Sequence, residues 1–152
     1  MKYLKRFNES STEDIRLNIK DILLSLEDNG IYNDIMISLY DVLKQDHKSM
    51  QIAVSLLSID LYDDQIAQNY QSKIHKPFDI TDDVLSTLRH LDSYLQSEGL
   101  QLSSISFRAK DRDSDMQNGG LQNDGAKTWE EFGEYLTRWG YHQFESLVIR
   151  YK

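Results

Sequence analysis

The run Asp111-Arg112-Asp113-Ser114-Asp115 places carboxylates on alternate residues, the spacing with which a calcium loop begins. Such a loop also needs a glycine at its sixth position, for a sharp turn, and a bidentate glutamate at its twelfth. Met116 and Gln122 stand there instead, while Asn118, Asn123 and Asp124 offer further oxygens. Asp111, Asp113 and Asp115 are therefore the candidate metal ligands, set against the ordinary reading of a solvated loop. His47, His75, His90 and His142 are scattered, and no pair has the spacing of a metal site. There is no Gly-x-Ser-x-Gly elbow, no glycine-rich phosphate loop and no dinucleotide fingerprint. Glu130 and Glu131 are adjacent acids in the first turn of an expected helix, where they complement its dipole. No catalytic residue and no cofactor is indicated.

The cations are more suggestive. Arg108, Lys110 and Arg112 share one parity on an expected strand, and Arg150 and Lys152 share one on another. If the two strands are neighbours, these side chains form a patch suited to a phosphate or an acidic partner. The competing reading is neutralisation by Asp111, Asp113 and Asp115. Tyr32, Tyr62, Tyr70 and Tyr141 fall in expected loops or strand ends, positions common in protein–protein contacts.

These residues sit in a chain of 152, with 17 Lys+Arg against 25 Asp+Glu, a formal charge of −8 and no cysteine. That length fits one domain. The acidity argues against gripping a nucleic-acid backbone. The absence of cysteine excludes a disulfide framework and Cys-ligated metals. No apolar run reaches a membrane span, and the first 30 residues lack the apolar core of a signal peptide. A soluble, cytoplasmic protein is expected. In residues 1–10, Lys2, Lys5 and Arg6 face only Glu9, so a basic leader precedes a single, more acidic domain over residues 11–152. The leader is amphipathic, with Tyr3, Leu4 and Phe7 on one side of a helical turn.

Periodicity supplies the elements. Ile15, Ile19, Ile22, Leu23 and Leu26 make a helical stripe over about 11–28, with a Ser11/Asp14 cap and an Asn29-Gly30 stop. Strands follow around Ile35–Leu39 and Ile52–Leu61, with a change of phase at Leu56-Leu57 that implies a bulge or burial on both faces. Residues 63–79 read as a connection. A second helix covers Thr81–Glu98 on Val84, Leu88, Leu91 and Leu95. A third strand from Leu100 to Phe107 slips phase midway. Residues 111–127 read as a loop, Thr128–Glu131 as a capping box opening a short helix, and Leu147–Tyr151 as a fourth strand. Residues 14–31 overlie 83–100 in pattern, a candidate internal αββ repeat, although any two glycine-stopped amphipathic helices align this way. The expected fold is α+β: a two-layer sandwich with a four-stranded, mainly antiparallel sheet, two long helices and one short one.

The opening Met1-Lys2-Tyr3-Leu4-Lys5-Arg6-Phe7-Asn8-Glu9 resembles the leaders of small proteins of large tailed, T-even-like phages. That resemblance implies a capsid-targeting peptide cut after a glutamate preceded, two residues earlier, by Leu or Ile. Glu9 matches the cut position, and Phe7 departs from the Leu or Ile. On this reading the chain is a non-enzymatic phage accessory or virion-associated protein acting by protein contact, in the host cytoplasm or the virion. Its partner-binding candidates are Tyr3, Leu4, Phe7, Arg108, Lys110 and Arg150. One alternative is an acidic inhibitor that occupies the nucleic-acid groove of a host protein, with carboxylates in place of phosphates. Another is a metal-binding or enzymatic domain centred on residues 111–127.

Overall fold

Alternation of apolar and small or polar side chains, strand after strand, builds an antiparallel sheet with one face for a core. A computed structural model of the chain describes residues 9–41, 48–58, 77–110, 121–138 and 140–152. The elements are α1 (Glu9–Glu27), β1 (Ile31–Asp41), β2 (Lys48–Ser58), α2 (Asp82–Ser97), β3 (Leu102–Lys110), β4 (Leu121–Ala126), α3 (Trp129–Thr137) and β5 (Gln143–Tyr151). The five strands form one sheet in the order β1-β2-β5-β3-β4, every neighbouring pair antiparallel. The fold is α+β as expected, with one strand more than the sequence predicts. That strand is β4, LQNDGA, inside the stretch read as a loop. Its Asn, Asp and Gly disfavour a strand locally, and pairing to β3 from Ile105↔Ala126 to Lys110↔Leu121 overrides them.

The helices start and stop where local chemistry dictates. Thr81 accepts a hydrogen bond from Val84 N–H at 3.3 Å, and Thr128 from Glu131 N–H at 3.1 Å. The Glu131 carboxylate completes its box on Lys127 N–H at 3.1 Å, one residue before the cap. Gly30 and Gly99 end α1 and α2 with φ of 81° and 86°, left-handed values that glycine adopts without strain. The Ser11 cap is not used, because α1 already begins at Glu9 and runs through Ser10–Thr12.

Ile15, Ile19, Leu23 and Leu26 of α1 join Val84, Leu88, Leu91 and Leu95 of α2 in one core with the inward row of the sheet. That row includes Ile35, Met50, Ile52, Val54, Leu56, Ile105, Phe107, Leu147, Ile149 and Tyr151. α1 packs on β1 and on α2, and α3 on β4. Beneath α3 the Phe107 ring lies 5.4–5.7 Å from those of Phe132, Tyr135, Tyr141 and Phe144, all edge-on. The positions matched between residues 14–31 and 83–100 are buried in both copies at Ile15/Val84, Ile19/Leu88, Leu26/Leu95 and Ile31/Leu100.

The β3–β5 register slips twice. Ser103 lacks a partner at one slip, and Glu145 at the other, opposite Arg108-Ala109. The first explains the change of phase the sequence shows in the third strand. The bulge expected at Leu56-Leu57 is absent. β2 pairs with β1 without interruption from Lys48 to Ser58, and Leu57 simply faces outward.

Candidate functional site

Among the described residues, no helix covers the outward face of the sheet. Its floor is small and polar: Ala53 and Ser55 of β2, Ser146 and Val148 of β5, Ser104 and Ser106 of β3, Asn123 and Gly125 of β4. From this floor rise two groups of large side chains. At the β1 edge, Met36 is 63% and Tyr40 49% exposed, as Leu17 and Leu24 are on α1 at 56% and 55%. Toward β3 and β5 stand Arg108 and Arg150, both exposed.

The cations expected to cluster are distributed as follows. β3 and β5 are neighbours, and Arg108 and Arg150 share the open face. Arg150 sits opposite Ser104, four residues from Arg108 along β3, or about 13 Å at strand rise. Lys152 lies one step beyond, where its backbone N–H and C=O bond those of Gln101 at 3.0 Å each. β3 pairs with β4 without a slip, so Lys110 keeps the parity of Arg108, but unlike Arg108 it is buried, at 9% exposure. Arg112, the carboxylates Asp111, Asp113 and Asp115, and the leader residues Tyr3, Leu4 and Phe7 lie outside the described residues. Among the described residues, no group of three His, Asp or Glu side chains could hold a metal ion.

The two arginines have different partners. Arg150 Nη1 donates to Ser106 Oγ at 3.2 Å. Arg108 Nε approaches Glu145 Oε2 at 3.7 Å, an ion pair whose arginine is half exposed and which contributes little to stability. A shallow cavity of about 500 Å³ lies over Ser106, Arg108, Asn123, Gly125, Ser146 and Val148. Gly125 keeps its floor low: a Cβ there would come within 3.2 Å of the Ile105 carbonyl. Asp124 also borders it, but its carboxylate is engaged by Gly125 N–H at 2.9 Å and the Tyr141 hydroxyl at 3.3 Å. A second cavity of about 240 Å³ continues past Arg150 to Met36, Ser38 and Tyr40.

The charge of the helices is opposite in sign. α1 carries Glu9, Glu13, Asp14, Asp21 and Glu27 against Arg16 and Lys20. α2 carries Asp82, Asp83 and Asp92 against Arg89, and α3 carries Glu130, Glu131 and Glu134 with no cation.

The titratable groups inside the fold serve it structurally. The Tyr151 hydroxyl donates to Asp92 Oδ1 at 2.7 Å, joining β5 to α2. Burial first, and then this carboxylate, push its pKa far above the ordinary tyrosine value. Trp129 Nε1 is buried and has no hydrogen-bond partner among the described residues. Tyr135 is also raised, by burial and then by Asp124.

Sequence reasoning missed Ser106, Ser146, Gly125, Met36 and Tyr40, and took Asn123 only as an oxygen of the 111–127 loop. The signal available was the row of small residues at one parity in each strand. It gains meaning only once the strand order sets those rows side by side. No helix among the described residues is long and apolar enough to cross a membrane. No protein-family model, no curated protein and no solved structure matches the chain.

Proposed function

We propose that this chain is a non-enzymatic accessory protein, of phage origin and virion-associated or active in the host cytoplasm, that works by contact with a protein partner. The observation that supports it is the outward sheet face, with exposed Met36 and Tyr40 at one end and Arg108 and Arg150 at the other. Methionine, tyrosine and arginine are the residues enriched in protein interfaces, and large side chains exposed together on a face mark such sites. The partner on this reading presents an apolar surface to Met36 and Tyr40 and an anionic one to the arginines. The leader residues Tyr3, Leu4 and Phe7 supply a second contact. The reading requires no cofactor.

The test is association in phage-infected cells of the tagged chain, a Met36→Asp/Tyr40→Asp variant and a chain lacking residues 1–9. Loss of one partner in the double variant, with its melting temperature unchanged, supports the sheet face. Loss on deletion alone assigns the contact to the leader. Association unchanged in both overturns the proposal.

The acidity of the three helices favours a second reading, an inhibitor offering carboxylates to the nucleic-acid groove of a basic host protein. Its complex would weaken steeply with salt and would survive the Met36→Asp/Tyr40→Asp change. A metal site on residues 111–127 predicts a higher melting temperature in calcium or magnesium.

A further inference from the structure

We infer that the cavity beside Arg108, whose lining residue Ser106 is reached by Arg150, is a phosphate-binding site, specific for a dianionic phosphate group. The inference deepens the contact reading, since the cavity lies on the same sheet face, and it rests on that face being open to a ligand. Beside Phe107 and Val148, the cavity is lined by hydrogen-bond donors: the guanidinium of Arg108, the Ser106 and Ser146 hydroxyls and the Asn123 amide, with Arg150 bonded to Ser106. That is more donor capacity than one carboxylate uses, and it suits the three terminal oxygens of a phosphate.

The electrostatics agree locally although the chain is acidic. Among the described residues, no carboxylate lies within ion-pair distance of Arg150, whose only side-chain partner is Ser106. A bound phosphate would replace that neutral partner with a charged one. The acids of α1, α2 and α3 are on elements packed against the other face, and at physiological salt charges a sheet's thickness away are largely screened. Among the described residues, Asp124 lines the cavity and Glu145 pairs with Arg108. Asp124 is engaged by Tyr141 and Gly125, which leaves Glu145 as the group that competes for Arg108.

The probe is inorganic phosphate, titrated at constant ionic strength and followed by backbone amide shifts. Saturable shifts are expected at Ser106, Asn123, Gly125 and Ser146. Arg150→Ala should weaken binding by about tenfold, the effect of one charge-assisted hydrogen bond. Glu145→Gln should tighten it by about two- to fivefold, the size of one exposed charge interaction. That gain cannot arise from misfolding. A short phosphoserine peptide binding more tightly than phosphate would identify a phosphorylated side chain of the partner as the source. Equal affinity would identify the free anion. Absence of saturable shifts, shifts unchanged in Arg150→Ala, or an aspartate peptide binding as tightly as the phosphoserine peptide would each overturn the site. Failure here is separable from failure of the contact reading, because the Met36→Asp/Tyr40→Asp variant tests the other end of the same face.

Discussion

The two faces of the sheet use the same strands for opposite purposes, and β5 shows the contrast residue by residue. Leu147, Ile149 and Tyr151 point into the core with at most 1% of their surface exposed, while Ser146, Val148 and Arg150 point outward. The inward row carries the hydrophobic burial, which scales with area removed from water. The outward row is too small and polar to bury a comparable area, and no described helix packs on it. Charge follows the same division. The helices are strongly acidic, whereas β3 and β5 carry Arg108, Lys110 and Arg150 against Glu145 alone. A face that contributes little to folding is free to be selected for what it touches.

Substitutions on the two sides sharpen that contrast. The largest effect is expected at Phe107, whose ring meets four others: Phe107→Ala should cost about 3–5 kcal/mol in urea unfolding. A cost under about 1 kcal/mol would mean that the cluster beneath α3 is loosely packed.

Next in size are the joints that hold the helices to the sheet. Tyr151→Phe removes the hydroxyl bond to Asp92 and should cost about 1 kcal/mol. It should also change the pH profile. Because the folded-state pKa of Tyr151 is raised, the fold holds this proton more tightly than the unfolded chain does. Its contribution is therefore complete below the ordinary tyrosine pKa of about 10 and declines as pH rises above it. The Phe variant should lose the part of that alkaline decline due to Tyr151, measured by thermal unfolding from neutral pH upward. Thr81→Ala and Thr128→Ala each remove a cap and should cost about 0.5–2 kcal/mol, additively because the helices are separate.

The smallest stability effect belongs to the open face. Val148→Ser and Ser106→Ala should each stay within about 0.5 kcal/mol of the parent. A larger loss at either would show that something covers this face and would break the comparison. Arg150→Ala should likewise leave the melting curve nearly unchanged while altering anion binding.

Much of this fold was legible locally. The stripes of α1 and α2, the Thr81 and Thr128 caps and the stops at Gly30 and Gly99 all rest on contacts within a few residues, which a linear reading captures. β4 was not legible, because Asn123, Asp124 and Gly125 are strand residues only by virtue of their pairing with β3. Phe78 was missed for the same reason. It lies in a segment read as a connection, yet it is 7% exposed and bridges to Phe144 through backbone bonds of 2.8 Å. At the site, the shared parity of Arg108 and Arg150 was visible, but Lys110 was grouped with them. Lys110 does share the parity of Arg108, and its burial, unlike the exposure of Arg108, is a property of the surroundings that parity does not reveal.

The sequence by itself determined which residues are helical, which side of each strand is apolar, and that the chain as a whole is acidic. These follow from periodicity, capping and composition, all local or additive. Only the tertiary structure decided that β5 inserts between β2 and β3, and that Arg108 and Arg150 share the face turned away from the acidic helices. It also decided that Ser106, Asn123 and Ser146 share one floor. The physical reason is that strand order is set by pairings between residues far apart in the chain, where each backbone hydrogen bond is chemically the same as any other. The alternation along a strand fixes the faces; the choice of neighbours fixes the site.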